Sequence, residues 1–194
     1  MTWSLVEALS LLQLMTTAYL CGVIWLVQRV HYPTFEFVAE NRFLQFHHFH
    51  TQAITPVVGP AMVAEFLLAA ILLGLHEVHW FWIFNLGSIA LIWAVTFGIS
   101  VPLHRRLAAE VPALLREKLP GSSDPSDLSV PSHSSDSFCP STPSDYFVVA
   151  SSQEMFIRQL LIRRLVMTNW LRTALWTFRL LFLFVGLQLP NVLN

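Results

Sequence analysis

Histidine, asparagine and arginine side chains gather at the ends of the apolar segments of this chain. The group comprises His31, His47, His48, His50, His104, Asn169 and Arg172. Imidazoles titrate near neutral pH and act as general acids and bases, and a guanidinium stabilises a developing oxyanion. If the segments meet, their spacing predicts a polar pocket in which His47, His50, His104 and Arg172 carry the chemistry.

A metal site is an alternative use of the same side chains. If residues 35–51 are helical, positions three or four apart share a face. That face would carry Glu36, Glu40, Phe43, His47 and His50. Imidazole and carboxylate groups bind zinc or iron, so the metal-ligand candidates are Glu40, His47, His50 and His104. Haem between paired histidines is a further alternative. The same side chains could instead bind a polar substrate, form a structural network, or simply lie at the membrane interface. No sequence motif requires a cofactor.

Glu65 lies near the middle of the second apolar segment, where a lone carboxylate is costly. We expect it to face the protein interior and to pair with Arg179, or to stay neutral and bond to Thr96 or Ser100. A polar residue at this depth also suits a transported ligand. The predicted substrate-binding residues are His31, Glu65, Asn169 and Trp170.

The elements that position these residues are apolar helices. Hydrophobic residues make up 55% of the 194-residue chain and charged residues only 12%, whereas soluble domains average about 25% charged. A bilayer core needs about 20 mainly apolar residues per helix. Four stretches qualify: Leu5–Val27, Gln52–Leu75, Trp80–Val101 and Trp170–Leu189. The sequence predicts an all-α fold, a polytopic membrane four-helix bundle with cytoplasmic helical extensions.

The basic residues predict the orientation of this bundle. Ten of the 11 lysines and arginines lie in or beside the connections 30–51 and 102–169, and Arg179 lies inside a span. Cytoplasmic loops are rich in Lys and Arg, so these connections should be cytoplasmic and both termini non-cytoplasmic. A net charge of −1 gives no field that would recruit nucleic acid. The lipid bilayer is the expected partner, and the oligomeric state stays open.

The chain divides into three parts within one membrane domain. Residues 1–119 hold the first three spans and the cytoplasmic end of the third. The third span stops at Pro102, and residues 103–119 are expected to continue it as a helix with a break at Pro112. Residues 120–146 contain ten Ser and five Pro and no Lys or Arg, which predicts a disordered loop. Residues 147–194 hold an amphipathic helix, which starts near Ser152, and the fourth span.

Two short motifs resemble a known family. Val101-Pro102-Leu103-His104-x-x-Leu107 is similar to the Val-Pro-Leu-Asn-x-x-Leu signature of the anthrone-oxygenase-like family of small membrane proteins, with His104 where the family usually has Asn. The block 169–173, Asn-Trp-Leu-Arg-Thr, resembles the start of that family's last helix. The resemblance implies four spans, a pocket at the cytoplasmic end and a location in a bacterial inner membrane.

The resemblance also implies an activity, since fungal members of the family oxidise anthrones to anthraquinones. We therefore expect oxidation of a lipophilic aromatic or quinone-like substrate, in which a histidine removes a proton and Arg172 stabilises the resulting enolate. The alternative is a non-catalytic membrane protein, either a carrier of small molecules or protons or a subunit of a larger assembly.

Overall fold

A computed structural model describes residues 4–75, 79–117 and 152–189, and the regular structure in these ranges is entirely helical. Helix α1 spans Leu5–Leu26 and continues through a π-helical turn, Val27–His31, into Tyr32–Thr34. Helix α2 spans Glu40–Leu75. Helix α3 spans Trp80–Val95, a second π-helical turn, Thr96–Ser100, and Val101–Glu117. Helix α4 spans Ser152–Gly186. The predicted all-α class is confirmed for the described residues.

Each π-helical turn stands immediately before an Xaa-Pro pair. The first precedes Tyr32-Pro33, and Tyr32 N–H bonds to Val27 O; the second precedes Val101-Pro102, and Val101 N–H bonds to Thr96 O. A proline lacks a donor and its ring crowds the preceding turn of a helix. We attribute the uninterrupted helices to the wider turns, which give both rings room. Helix α3 accordingly runs through Pro102, where the predicted third span ends, into the expected helical continuation.

The structure differs from the sequence-based expectations at several helix boundaries. Helix α2 runs without a break through Pro56 and Pro60 and begins at Glu40, well before the predicted Gln52. The helix also continues past Pro112 to Glu117. Residues 35–39 form a turn rather than the start of a helix, so exposed Glu36 does not share a helix face with His47. The predicted disordered loop, 120–146, lies outside the described residues.

The four helices surround an interior that is more polar than the outer surface. Helix α1 packs against α2 and α4, and α3 packs against the same two helices. Fully or almost fully buried side chains include Gln13, Thr17, Glu65, Asn85 and Arg179. The exposed side chains of the same helices include Leu12, Met15, Leu67, Ile71, Ile83, Phe84, Leu91, Phe178 and Leu181. Soluble proteins show the opposite distribution.

Within the described ranges, three helical stretches are long and apolar enough to cross a membrane: Leu5–Thr34, Arg42–Leu75 and Trp80–Ala109. They contain the first three predicted spans. The predicted fourth span, Trp170–Leu189, falls mainly on α4 and is not among them, because Arg172 and Arg179 interrupt its apolar sequence.

Gly186 provides a test of the packing at the end of α4. A Cβ atom at this position would overlap the ring of Phe81, which is fully buried against Trp82 and Phe182. We expect Gly186→Ala to lower the free energy of unfolding by about 1–3 kcal/mol, the usual cost of overpacking a core. Gly22→Ala is the matched control, since a Cβ there meets no atom within 4 Å. Thermal unfolding in detergent measures both, and equal midpoints would contradict this packing.

Candidate functional site

A cavity of about 920 Å³ opens between the four helices, near the ends where α1 passes into α2. Its walls on one side are apolar and include Leu20, Ile24, Met62 and Trp176, which belong to one buried cluster. Its other end is polar and carries Tyr32, His47, His48, His50, His104, Arg105 and Arg172. None of the described residues lining it is Asp or Glu. The cavity therefore suits a mainly apolar ligand with an electron-rich polar end.

Two histidines from different helices and a tyrosine form a continuous chain of contacts in this cavity. His47 Nε2 lies 2.9 Å from His104 Nδ1, and Tyr32 Oη lies 3.4 Å from His104 Nε2. If the hydroxyl of Tyr32 donates to Nε2, then Nδ1–H of His104 donates to His47, so one tautomer satisfies both contacts. A proton gained at one end can thus be passed along the chain to the other.

Arg172 is one of two arginines that line the cavity, and it is held through Asn169. Its Nη1 donates to Asn169 Oδ1 at 3.3 Å, while Asn169 Nδ2 donates to Gln28 Oε1 at 2.7 Å. Asn169 is 1% exposed and Gln28 is 3% exposed. No carboxylate of the described residues pairs with Arg172, and its Nε has no hydrogen-bond partner there. The guanidinium therefore remains available to an anionic or polar ligand atom.

His31 and His50 stack on one another beside this chain of contacts. Their ring centroids are 4.0 Å apart with an interplanar angle of 24°, and Phe46 stacks on His31. His50 lines the cavity, whereas His31 does not and keeps its Nε2 buried without a partner. The π-helical turn at the end of α1 positions His31 and Gln28 on this side of the helix.

None of the four predicted substrate-binding residues lines the cavity: His31 and Asn169 lie beside residues that do, whereas Trp170 and Glu65 have other surroundings. Trp170 is 38% exposed and contacts Trp25 edge to face, with centroids 5.6 Å apart. Glu65 is fully buried and forms an ion pair with Arg179, so this part of the prediction is confirmed. The structure brings His47, His50, His104 and Arg172 together at the cavity, and Asn169 beside them.

The Glu65–Arg179 pair lies within a buried polar network that joins all four helices. Thr17 Oγ1 donates to Glu65 Oε1 at 2.6 Å and accepts from Arg179 Nη1 at 2.7 Å. Arg179 Nη2 donates to Asn85 Oδ1 at 2.7 Å, and Arg179 Nε donates to Ser88 Oγ at 3.0 Å. This network fixes the relative register of the helices, because each helix supplies a partner.

The described residues contain no group of three or more His, Cys, Asp or Glu side chains placed to hold a metal ion. His47 and His104 lie on facing helices and were candidates for metal binding. In the structure their rings lie within hydrogen-bond distance of one another. The side chain of Glu40 lies outside the described residues.

Three residues of the site were not identified from the sequence as parts of the pocket. Tyr32, Gln28 and Trp176 are each at most 3% exposed, and each contacts or lines the predicted site. Gln28 and Tyr32 flank Arg29 and His31 at the end of the first span, so polar residues there were an available signal.

Comparison with protein-family models, curated proteins and solved structures finds no match to this chain.

Proposed function

We propose that this protein is a multi-pass membrane protein whose four helices form a transmembrane bundle. The distribution of side chains supports insertion, because the exposed surface of the helices is apolar while Gln13, Thr17 and Glu65 are buried. Polar residues within a bilayer face the interior of a bundle and pair there. An apolar surface of this extent in water would promote aggregation.

Helix α4 is the fourth span in this proposal, despite its two arginines. Arg179 is fully buried and bonded to four other side chains, and Arg172 is bonded to Asn169 and partly enclosed in the cavity. Neither charge faces lipid, so the outer surface of α4 stays apolar over the predicted span, from Trp170 onward. With the basic connections inside, the polar end of the cavity faces the cytoplasm, in the inner membrane of a bacterium.

The proposed function is binding and oxidation of a lipophilic aromatic molecule that carries a phenol or ketone oxygen. The observation that carries it is the cavity itself, with an apolar body and, at one end, a histidine pair beside an unpaired arginine. The apolar walls accept the rings, and the histidines and Arg172 accept the oxygen end.

The chemistry follows from this polar end. Nε2 of His104, whose contact with the Tyr32 hydroxyl is long at 3.4 Å, exchanges that contact for the ligand. It takes a proton from a methylene group activated by the ketone, and the electron pair moves onto the ketone oxygen as an enolate. Arg172 stabilises that negative charge, and His47 shares the proton through its contact with His104. Dioxygen is the oxidant: the CH2 group becomes C=O, and one O2 is reduced to one water. Each methylene oxidised thus consumes one O2.

Binding and oxygen uptake test the proposal on detergent-purified protein with a dihydroxyanthrone as the probe. We expect the probe to quench tryptophan fluorescence through Trp176, which lines the cavity, and Trp176→Phe to remove this component. Trp80→Phe is the control, because exposed Trp80 does not line the cavity. We also expect one O2 consumed per quinone formed. Absence of quenching would overturn the site, and quenching without oxygen uptake would replace oxidation by a non-catalytic carrier role.

A further inference from the structure

The residues lining the cavity differ sharply in exposure from one helix to another. Most of those on α1 and α4, such as Leu20, Ile24 and Trp176, are buried and form its back wall. Helices α2 and α3 contribute buried residues, such as His47 and Ser100, and also all but two of the exposed or half-exposed residues of the cavity. Six of the latter mark its open side. These are Gln45, His48 and Thr55 of α2 and Phe97, Val101 and Arg105 of α3. We call this set the α2–α3 window.

The packing of the helices explains why the cavity opens here. Helix α2 packs against Trp80–Val95 and again against Val101–Glu117, whereas the π-helical turn between them, Thr96–Ser100, packs against α4. Helix α4 also contacts both flanking parts of α3, so the turn is the stretch of α3 with the least contact to α2. Phe97, which lies in that turn, is 59% exposed.

The window lies at the depth of the lipid chains at one end and of the headgroups at the other. At a rise of about 1.5 Å per residue, Phe97 lies about 26 Å and Arg105 about 38 Å along α3 from Trp80. Trp80 is exposed and suits the outer membrane–water interface. A hydrocarbon core of about 30 Å therefore contains Phe97 and ends before Arg105.

The charges along the window define its ligand. Arg105 is exposed at the mouth, and Arg172 lies inside the cavity with no carboxylate partner among the described side chains. Exposed His48 also lines the cavity, and none of the described residues that line it is acidic. Two positive groups in succession attract a negatively charged end group, while Phe97 and the apolar walls accept its hydrocarbon part.

We propose that a membrane-dissolved amphiphile with an anionic end group enters the cavity sideways from the bilayer through the α2–α3 window, its charged end passing from Arg105 to Arg172. This inference rests on the proposed function, since it takes the same cavity as the binding site. It goes further by naming the route and the charge of the ligand. A carboxylate or a phenolate satisfies both conditions.

A reversible cross-link across the window tests the route. Thr55→Cys with Val101→Cys, in a background carrying Cys21→Ala and Cys139→Ser, places two thiols on opposite sides at similar depth. The control joins α1 and α4 through Trp25→Cys with Trp170→Cys, where the helices are in contact. The readout is stopped-flow quenching of tryptophan fluorescence after the protein in phosphatidylcholine vesicles is mixed with a spin-labelled long-chain carboxylate. Comparison with the Trp176→Phe variant identifies the component of the fluorescence change that comes from Trp176 in the cavity.

We expect the cross-link in the window to slow association of the spin-labelled carboxylate by about tenfold or more, because it closes the route of entry. A reductant should restore the rate. The α1–α4 cross-link should leave the rate unchanged. Equal rates in the cross-linked and reduced window variant would overturn the route, and would point to entry from the cytoplasm.

The methyl ester of the same probe tests the charge. Arg105→Gln should slow association of the carboxylate by about tenfold, as loss of an attracting charge does, and leave the ester unchanged. Equal effects on acid and ester would overturn the role of Arg105. If neither these probes nor the dihydroxyanthrone quench Trp176, the proposed function fails as well. If the dihydroxyanthrone binds equally fast with the window open and cross-linked, only the route fails.

Discussion

Glu65→Ala is expected to lower the free energy of unfolding by about 3–5 kcal/mol, which is the cost of leaving one member of a buried ion pair without its partner. Arg179 is 0% exposed and pairs with Glu65 inside the protein. Its other partners, Thr17, Asn85 and Ser88, are neutral and do not replace a carboxylate. Thermal and chemical unfolding in detergent, followed by circular dichroism, measures the loss.

Two further variants separate the ion pair from a general effect of substitution. Glu36→Ala is the same substitution at a glutamate in an exposed turn, and it should change the free energy of unfolding by less than about 0.5 kcal/mol. The double variant Glu65→Leu with Arg179→Met removes both charges and should be more stable than either single variant, because no buried charge is then left unpaired. If the double variant is no more stable than Glu65→Ala, the ion pair between Glu65 and Arg179 does not account for the stability of the buried polar network.

The pairing of Glu65 with Arg179 was accessible from the sequence because lone charges are costly in a membrane, and Glu65 in the second span and Arg179 in the fourth are the charged residues that lie far from the ends of their spans. The helical segments were equally accessible from the apolar runs. The positions at which the helices end could not be predicted from the sequence, because prolines such as those at positions 33, 102 and 112 normally end helices. Here two of them follow π-helical turns, and tertiary packing against α4 decides whether such a turn forms.

The polar residues of the cavity were predictable as a set but not as an arrangement. Their types and common membrane depth placed His47, His50, His104 and Arg172 together. The contact between His47 and His104 depends on the distance between α2 and α3, which no spacing within one helix determines. Trp170 follows Asn169 in the chain yet faces outward, because adjacent residues of a helix point in different directions.

His104→Gln is expected to reduce kcat for oxidation of the dihydroxyanthrone by about 10²–10⁴-fold, the usual contribution of a positioned general base. Glutamine keeps a polar side chain between His47 and Tyr32 but cannot take up the proton. Binding should change little, since the apolar walls remain. A probe deuterated at the methylene carbon checks the step: it should react more slowly than the unlabelled probe with the wild-type protein if proton removal limits the rate.

Arg172→Met is expected to reduce kcat by about 10²–10³-fold, comparable to the loss of an oxyanion donor. Unlike His104→Gln, it removes positive charge, so it should also weaken binding of the enolate form more than binding of the neutral probe. Arg164→Gln is the matched control, because Arg164 is exposed and does not line the cavity. If Arg172→Met and Arg164→Gln show the same oxygen uptake as the wild-type protein, Arg172 does not stabilise the enolate. The charge would then serve only to attract the ligand to the cavity.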